Sequence, residues 1–149
     1  MTGAGADRRI ADRAEVISRG VAQRTDLRLG VCELGDPAIR ARARHVISEN
    51  ARVEAFTTAI SASDLPSAGS LMSESHRSLR DDFECSTPRI DELCQRLSAT
   101  AGVFGARMTG GGWGGCVVAL TAPGAVDVTA YDAAWYVRPS AGARIRVAD

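Results

Sequence analysis

The stretch that decides the fold is residues 103–121, which read VFGARMTGGGWGGCVVALT. Its two ends, Val103–Thr109 and Cys116–Thr121, are short apolar runs and predict two β-strands. Between them lie six residues, Gly110–Gly115, five of which are glycine. So short a connection leaves room only for a turn that pairs the strands antiparallel. The stretch therefore predicts a β-hairpin closed by a glycine-rich loop.

Upstream of the hairpin, apolar residues recur at helical spacing. A helix is predicted from Asp36-Pro37, because Asp suits an N-cap and Pro suits the first helical position. Along it, Ile39, Val46, Val53 and Ile60 recur every seven residues, so this helix is expected to be the spine of the core. Its arginines fall mostly off that stripe and are expected to form a solvated face: Arg40, Arg42, Arg44 and Arg52. The other predicted helices are Asp7–Arg24, Leu65–Arg80, and one that opens at Thr87-Pro88 and ends near a C-cap at Gly102.

Helices come first in this chain and strands come later. Additional strands are predicted at Leu27–Leu29, Ala134–Arg138 and Arg144–Val147. This order predicts an α+β domain, with an antiparallel sheet that carries helices on one face. A length of 149 residues fits a single domain, residues 1–149.

Composition excludes several classes of protein. The 18 basic and 18 acidic residues balance, so no overall field attracts nucleic acid or a membrane surface. No apolar run is long enough to span a bilayer, and no charged leader precedes one. Every basic residue is arginine, so the chain has no lysine for a P-loop or a Schiff base. The four cysteines form no Cys-x-x-Cys pair, which argues against zinc and for reduced thiols in the cytoplasm.

The glycine loop carries the sharpest chemical signal. Glycine lets a ligand approach the main chain, and successive N–H groups can converge on a phosphate. A plain flexible hairpin turn is the alternative. Gly110, Gly112 and Gly115 also satisfy the dinucleotide pattern Gly-x-Gly-x-x-Gly, but a strand follows where that site needs a helix. The protein-kinase glycine loop is excluded as well, because its lysine, His-Arg-Asp and Asp-Phe-Gly motifs are absent.

Three blocks of the chain, in the same order, resemble one enzyme family. They are RARHVISENARV (residues 42–53), LMSESHRSLRDDFECS (residues 71–86) and GARMTGGGWGGCVVAL (residues 105–120). They resemble the galactose, homoserine, mevalonate and phosphomevalonate (GHMP) kinase superfamily in the form that galactokinases carry. The resemblance implies a ferredoxin-like C-terminal domain whose third family motif closes over the nucleotide phosphates. By position, that role falls on Thr109, Gly110, Gly111, Gly112, Trp113, Gly114 and Gly115.

The chain also departs from the family pattern. Trp113 replaces a phenylalanine, Phe83 a tyrosine and Cys85 a valine, and the span Ala122–Ala133 is short for the helix that galactokinases place there. The family motifs that bind the sugar and wrap the ATP phosphates are absent. The resemblance therefore implies that no catalytic residue lies in this chain, and that a separate N-terminal galactokinase half binds galactose and most of ATP and Mg²⁺. The chain alone is predicted to be inactive, and a non-catalytic nucleotide- or partner-binding remnant is the alternative.

A polar cluster remains open at this stage. Ser75, His76, Arg80 and Asp81 could face the site as acid–base groups or metal ligands, or could form the capped and ion-paired end of a helix. Arg107 could contact phosphate or pair with a carboxylate. Cys116, beside the glycines, is expected to be a small buried hydrophobic residue.

Overall fold

The computed structural model describes residues 35–138. These residues form three helices, a two-stranded sheet and a short 3-10 turn. The elements are α1 (Pro37–Ser61), α2 (Leu65–Asp81), α3 (Pro88–Ser98), β1 (Val103–Thr109), β2 (Cys116–Thr121) and the 3-10 turn Val128–Ala130. The predicted α+β class is confirmed, and the ferredoxin-like topology stays a prediction. The segments predicted at Asp7–Arg24, Leu27–Leu29 and Arg144–Val147 lie outside the described residues.

Each helix begins at a polar cap and has proline as its first or second residue. Asp36 accepts a hydrogen bond from the N–H of Ala38 at 2.8 Å, Asp64 from Ser67 at 3.1 Å, and Thr87 caps α3. These caps satisfy N–H groups that have no partner inside the helix. The predicted C-cap at Gly102 is wrong, because α3 ends at Ser98 with Ala99 as its cap.

The prediction that α1 is the spine of the core is also wrong. Ile39, Val53 and Ile60 are 39%, 58% and 41% exposed. The face of α1 that packs on α2 instead carries His45 and Ala59, which are both buried. At 3.6 residues per turn, these two residues lie roughly 100° round the helix from the predicted stripe. The seven-residue pattern therefore marks a second apolar face of α1.

The core lies between α3, the end of α2 and one face of the hairpin. Its fully buried strand residues are Ala106 and Met108, each 1% exposed. They pack with Cys85, Ile90, Cys94 and Leu97. The strands pair antiparallel from Val103 with Thr121 to Thr109 with Cys116, with one irregularity between Val103 and Gly105. This register places both ends of the glycine loop side by side.

Helix α2 crosses β1 at very short range. A Cβ on Gly69 would lie 2.1 Å from the carbonyl oxygen of Phe104, and a Cβ on Gly105 would lie 1.9 Å from that of Gly69. Only glycine on both sides permits this approach. The crossing holds α2 against the strand that leads into the loop.

The predicted strand Ala134–Arg138 is not formed. The span before it consists of turns and the 3-10 helix, so the chain reaches Trp135 without the helix that could align it with the sheet. Tyr136 donates its hydroxyl to the carbonyl of Val126 at 2.5 Å, but Trp135 and Tyr136 stay 74% and 64% exposed. No helix in residues 35–138 is both apolar and long enough to cross a bilayer.

Candidate functional site

The six residues of the glycine loop adopt an unusual backbone. φ is positive at Gly110 (94°), Gly112 (92°), Trp113 (56°), Gly114 (144°) and Gly115 (94°). Left-handed backbone costs an L-residue roughly 1–2 kcal/mol, which explains why glycine fills four of these five positions. Trp113 adopts it without that freedom, so the surrounding contacts must hold it there. Runs of such conformations can turn backbone N–H groups toward one concave surface, the geometry that binds anions.

One side of the loop is fixed to the body of the domain. The N–H of Trp113 donates to the carbonyl of Cys85 at 2.7 Å. A Cβ on Gly112 would lie 2.7 Å from that same oxygen and 2.8 Å from the Cβ of Cys85. The loop therefore rests on the turn that follows α2.

The other side of the loop is open. A Cβ on Gly110, Gly111 or Gly114 would meet no atom within 4 Å. Thr109, the last residue of β1, is exposed at the entrance of the loop, and Trp113 is 37% exposed. The main chain is thus accessible at several residues on this side of the loop. The seven residues predicted to face the nucleotide are the six of this loop and Thr109 at its entrance.

Arg107 and Ser75 meet at one carboxylate. Arg107 lies 3.2 Å from Glu49 through its Nη1 atom, and Ser75, which is 2% exposed, donates its hydroxyl to Glu49 at 2.6 Å. Arg52 adds a contact of 2.7 Å to the other oxygen of Glu49. Arg107 therefore pairs with a carboxylate, the second of the two roles considered for it. The prediction of a solvated arginine face is wrong for Arg52 and Arg42, whose side chains are only 16% and 12% exposed.

His76 is held inside the domain. Its Nδ1 atom is 3.4 Å from the N–H of Met108, and its Nε2 atom is 3.2 Å from Asp91 on α3. The Nε2 contact is close enough for an ion pair but is not aligned as a hydrogen bond. Burial lowers the pKa of His76, with the Asp91 carboxylate opposing the shift. A neutral imidazole that links α2, β1 and α3 fits these contacts.

Arg80 and Asp81 lie at the outer end of α2. They form an ion pair of 2.7 Å with side chains 45% and 55% exposed, and the hydrogen bond from Arg80 lowers the pKa of Asp81. Asp81 also borders a shallow pocket of about 340 Å³ whose lining mixes both charges: Arg52, Glu74, Arg77, Ser78, Asp81 and Asp82. Among residues 35–138, no three His, Cys, Asp or Glu side chains are placed to hold a metal ion.

Cys116 differs from its prediction. It is exposed, where a buried residue was expected. It is the first residue of β2 and directly follows the loop. Sequence reasoning also missed the contact of Cys85 with the loop and the role of Glu49. The only signal for either was the place of each within a block that resembles the kinase family.

Comparison with known proteins identifies the class. Residues 56–134 match the family model described as GHMP kinases C terminal, so the chain belongs to the GHMP kinase family. Among solved structures, it is similar to Lactococcus lactis galactokinase complexed with galactose, with a TM-score of 0.69 and 32% sequence identity. That match covers 81% of this chain and 34% of the galactokinase chain. The predicted galactokinase-type C-terminal domain is confirmed, and the chain spans about a third of the galactokinase that it matches.

Proposed function

We propose that this chain is the C-terminal half of an ATP-dependent galactokinase. Joined to an N-terminal half, it would help transfer the terminal phosphoryl group of ATP to galactose, giving galactose 1-phosphate and ADP. The observation that supports this most is the glycine loop, which is anchored at Gly112 and Trp113 and open at Gly110, Gly111 and Gly114. We assign the nucleotide phosphates to that open side.

The chemistry of phosphoryl transfer suits such a loop. The reaction depends mainly on positioning and on stabilising charge, with little covalent work for the protein. Backbone N–H groups offer that stabilisation without a lysine, which this chain lacks. Thr109 adds a hydroxyl at the entrance. ATP would bring Mg²⁺, which neutralises phosphate charge, and we assign its protein ligands to the N-terminal half.

The remaining parts of the reaction belong to the other half in this proposal. Ser75, His76 and Arg107 are engaged in contacts within the domain, so we give them no catalytic step. The catalytic carboxylate, the galactose-binding residues and most of the adenine pocket would come from the N-terminal half. The isolated chain would then be inactive.

A fusion protein tests the proposal. The chain would replace the matching part of Lactococcus lactis galactokinase, and galactose-dependent ADP release would be measured with Mg-ATP. We expect turnover by the fusion and none by the chain alone. A fusion that folds and binds galactose but releases no ADP would contradict the assignment, and so would turnover by the chain alone.

A second candidate function is a non-catalytic module that kept only this domain. A stand-alone nucleotide binder would bind Mg-ATP as the isolated chain and would gain nothing from an added N-terminal half. Calorimetric titration with Mg-ATP, with and without that half, separates the two functions.

We place the protein in the cytoplasm. The described residues hold three free cysteines, Cys85, Cys94 and Cys116, which suits a reducing compartment. Burial raises the pKa of Cys94 to about 11, so this thiol is neutral and unreactive near neutral pH.

A further inference from the structure

The turn after α2 is the platform on which the glycine loop rests. This turn, residues 82–86, presents the carbonyl of Cys85 to the N–H of Trp113 at 2.7 Å, and its backbone fills the space beside Gly112. Any shift of Cys85 would move this contact. The placement of the loop therefore depends on the conformation of the turn.

The turn itself is strained and held from within α2. Glu84 has a φ of 53°, a left-handed conformation that costs a non-glycine residue of order 1 kcal/mol. Two backbone bonds fold the chain back: Phe83 donates to Ser78 at 2.9 Å, and Cys85 donates to Leu79 at 3.0 Å. These bonds fix the start of the turn but do not touch the Glu84 side chain.

Arg42 of α1 contacts the same turn with its guanidinium group. Its guanidinium donates to the carbonyl of Asp82 and lies 2.5 Å from the carboxylate of Glu84. It also lies over the ring of Phe83, 5.9 Å from the ring centre. The Arg42 side chain is 12% exposed, so water competes weakly for its guanidinium, although the Glu84 side chain is 67% exposed. The planar fork of arginine is suited to holding a carbonyl and a carboxylate together.

We propose that Arg42 and Glu84 are positioning residues that set the placement of the glycine loop through the turn 82–86. Arg42 holds Glu84 in its left-handed conformation. This conformation orients the carbonyl of Cys85, which accepts the hydrogen bond from the N–H of Trp113. The proposal rests on the proposed function for its consequence in catalysis, although the placement itself does not require it.

Trp113 provides a direct reporter of loop placement. The chain has two tryptophans, so Trp135→Phe leaves Trp113 as the single one. Acrylamide quenching of Trp113 would be measured in this background for the full chain, together with its thermal melt. We expect Arg42→Met to raise the quenching constant about twofold, because local opening of the loop exposes the indole ring. Glu84→Ala should act in the same direction, and Arg42→Lys should fall between Arg42→Met and the parent.

Arg44→Met is the matched control. Arg44 lies on the same helix and pairs with the side chain of the same turn, Asp82, at 2.7 Å. Its own side chain is 60% exposed, and it contacts the turn through the Asp82 carboxylate. We expect this variant to leave the quenching of Trp113 as in the parent. The proposal is overturned if Arg42→Met and Glu84→Ala leave quenching at the level of Arg44→Met, whatever they do to the melting temperature.

Glu84→Ala keeps the test decisive if Arg42→Met does not fold, since the Glu84 side chain is 67% exposed and its loss leaves no cavity. In the galactokinase fusion, Arg42→Met should raise the KM for ATP about tenfold, a change worth about 1.4 kcal/mol, and leave the KM for galactose nearly unchanged. A parent fusion without turnover would refute the proposed function while the quenching result still decides the positioning role. Equal effects of Arg42→Met on the KM for ATP and the KM for galactose would overturn the proposal that Arg42 specifically positions the glycine loop.

Discussion

Gly111 and Gly112 are neighbours in the loop with opposite surroundings. A Cβ on Gly111 would point into open space, and its φ is not in the left-handed region. A Cβ on Gly112 would collide with the Cys85 backbone, and its φ is 92°. The fold therefore tolerates a side chain at Gly111 but not at Gly112.

Substitutions at these two glycines can therefore separate effects on ATP use from effects on stability. We expect Gly111→Ala to change the free energy of unfolding by less than about 0.5 kcal/mol and Gly112→Ala to lower it by about 1–3 kcal/mol. In the fusion enzyme, Gly111→Ala should still lower kcat/KM for ATP about tenfold, because its methyl group occupies the open side of the loop. Urea denaturation and ADP-release kinetics measure the two effects. Unchanged use of ATP by Gly111→Ala would contradict the phosphate assignment.

Two buried histidines make stability depend on pH. Burial lowers the pKa of both His45 and His76 from 6.5, with Glu49 opposing the shift at His45 and Asp91 at His76. The unfolded chain therefore takes up protons first as the pH falls through 6.5. The free energy of unfolding should be highest above that pH and fall below it, by at most about 1.4 kcal/mol per pH unit for each histidine.

Urea denaturation between about pH 7.5 and about pH 5.5 measures this loss. His76→Gln should flatten the dependence, since it removes one titrating group while keeping a polar side chain. The lowered pKa of Asp81 lies below its ordinary value of 3.8, so this group adds nothing in the range. A slope that is unchanged in His76→Gln would contradict the prediction for that residue.

At the scale of elements, α2 crosses β1 at very short range. Gly69 faces the Phe104 carbonyl at a distance that excludes any side chain. Alanine favours helices over glycine by about 1 kcal/mol, but overpacking costs about 1–3 kcal/mol and the clash here is with backbone. The cost of the clash is expected to exceed the gain in helix propensity.

We therefore expect Gly69→Ala to lower the free energy of unfolding by more than about 1 kcal/mol. Ser70→Ala, at the next and exposed position of the same helix, should raise it by a few tenths of a kcal/mol. Chemical denaturation of both variants beside the parent measures the difference. A Gly69→Ala variant as stable as Ser70→Ala would show that α2 and β1 can separate without cost.

For the whole molecule, as far as residues 35–138 describe it, most of the exposed large apolar side chains lie at two places outside the glycine loop. One is the second face of α1, with Val53 at 58% exposure, and the other is the segment Trp135–Val137, with Val137 at 78%. Apolar patches of a few hundred Å² drive association. We expect the isolated chain to self-associate and to melt at a higher temperature when an N-terminal galactokinase half is added.

Light scattering and a thermal melt, with and without that half, measure both effects. Val53→Glu and Trp135→Ser each place polarity on one patch and should shift the chain toward monomer if that patch is responsible. Arg44→Glu, also exposed on α1 but off its apolar face, serves as the control. If the chain is a monodisperse monomer and its melting temperature is unchanged by the added N-terminal half, the independent module is favoured.

The sequence by itself determined the elements and the family. The hairpin formed at the predicted residues 103–109 and 116–121, and α1 and α3 began where a polar residue directly precedes proline, whereas the predicted strand Ala134–Arg138 did not form. Such signals are local, because caps, turns and periodicity act over a few residues.

Only the tertiary structure decided which face of α1 is buried and what anchors the loop. Arg42 and Arg52 are partly buried because the carboxylates of Glu84 and Glu49 pair with them, and a charge leaves water only when its partner is in place. The turn that anchors Trp113 is contacted by Arg42 across 40 residues of chain, so no local pattern could have revealed it.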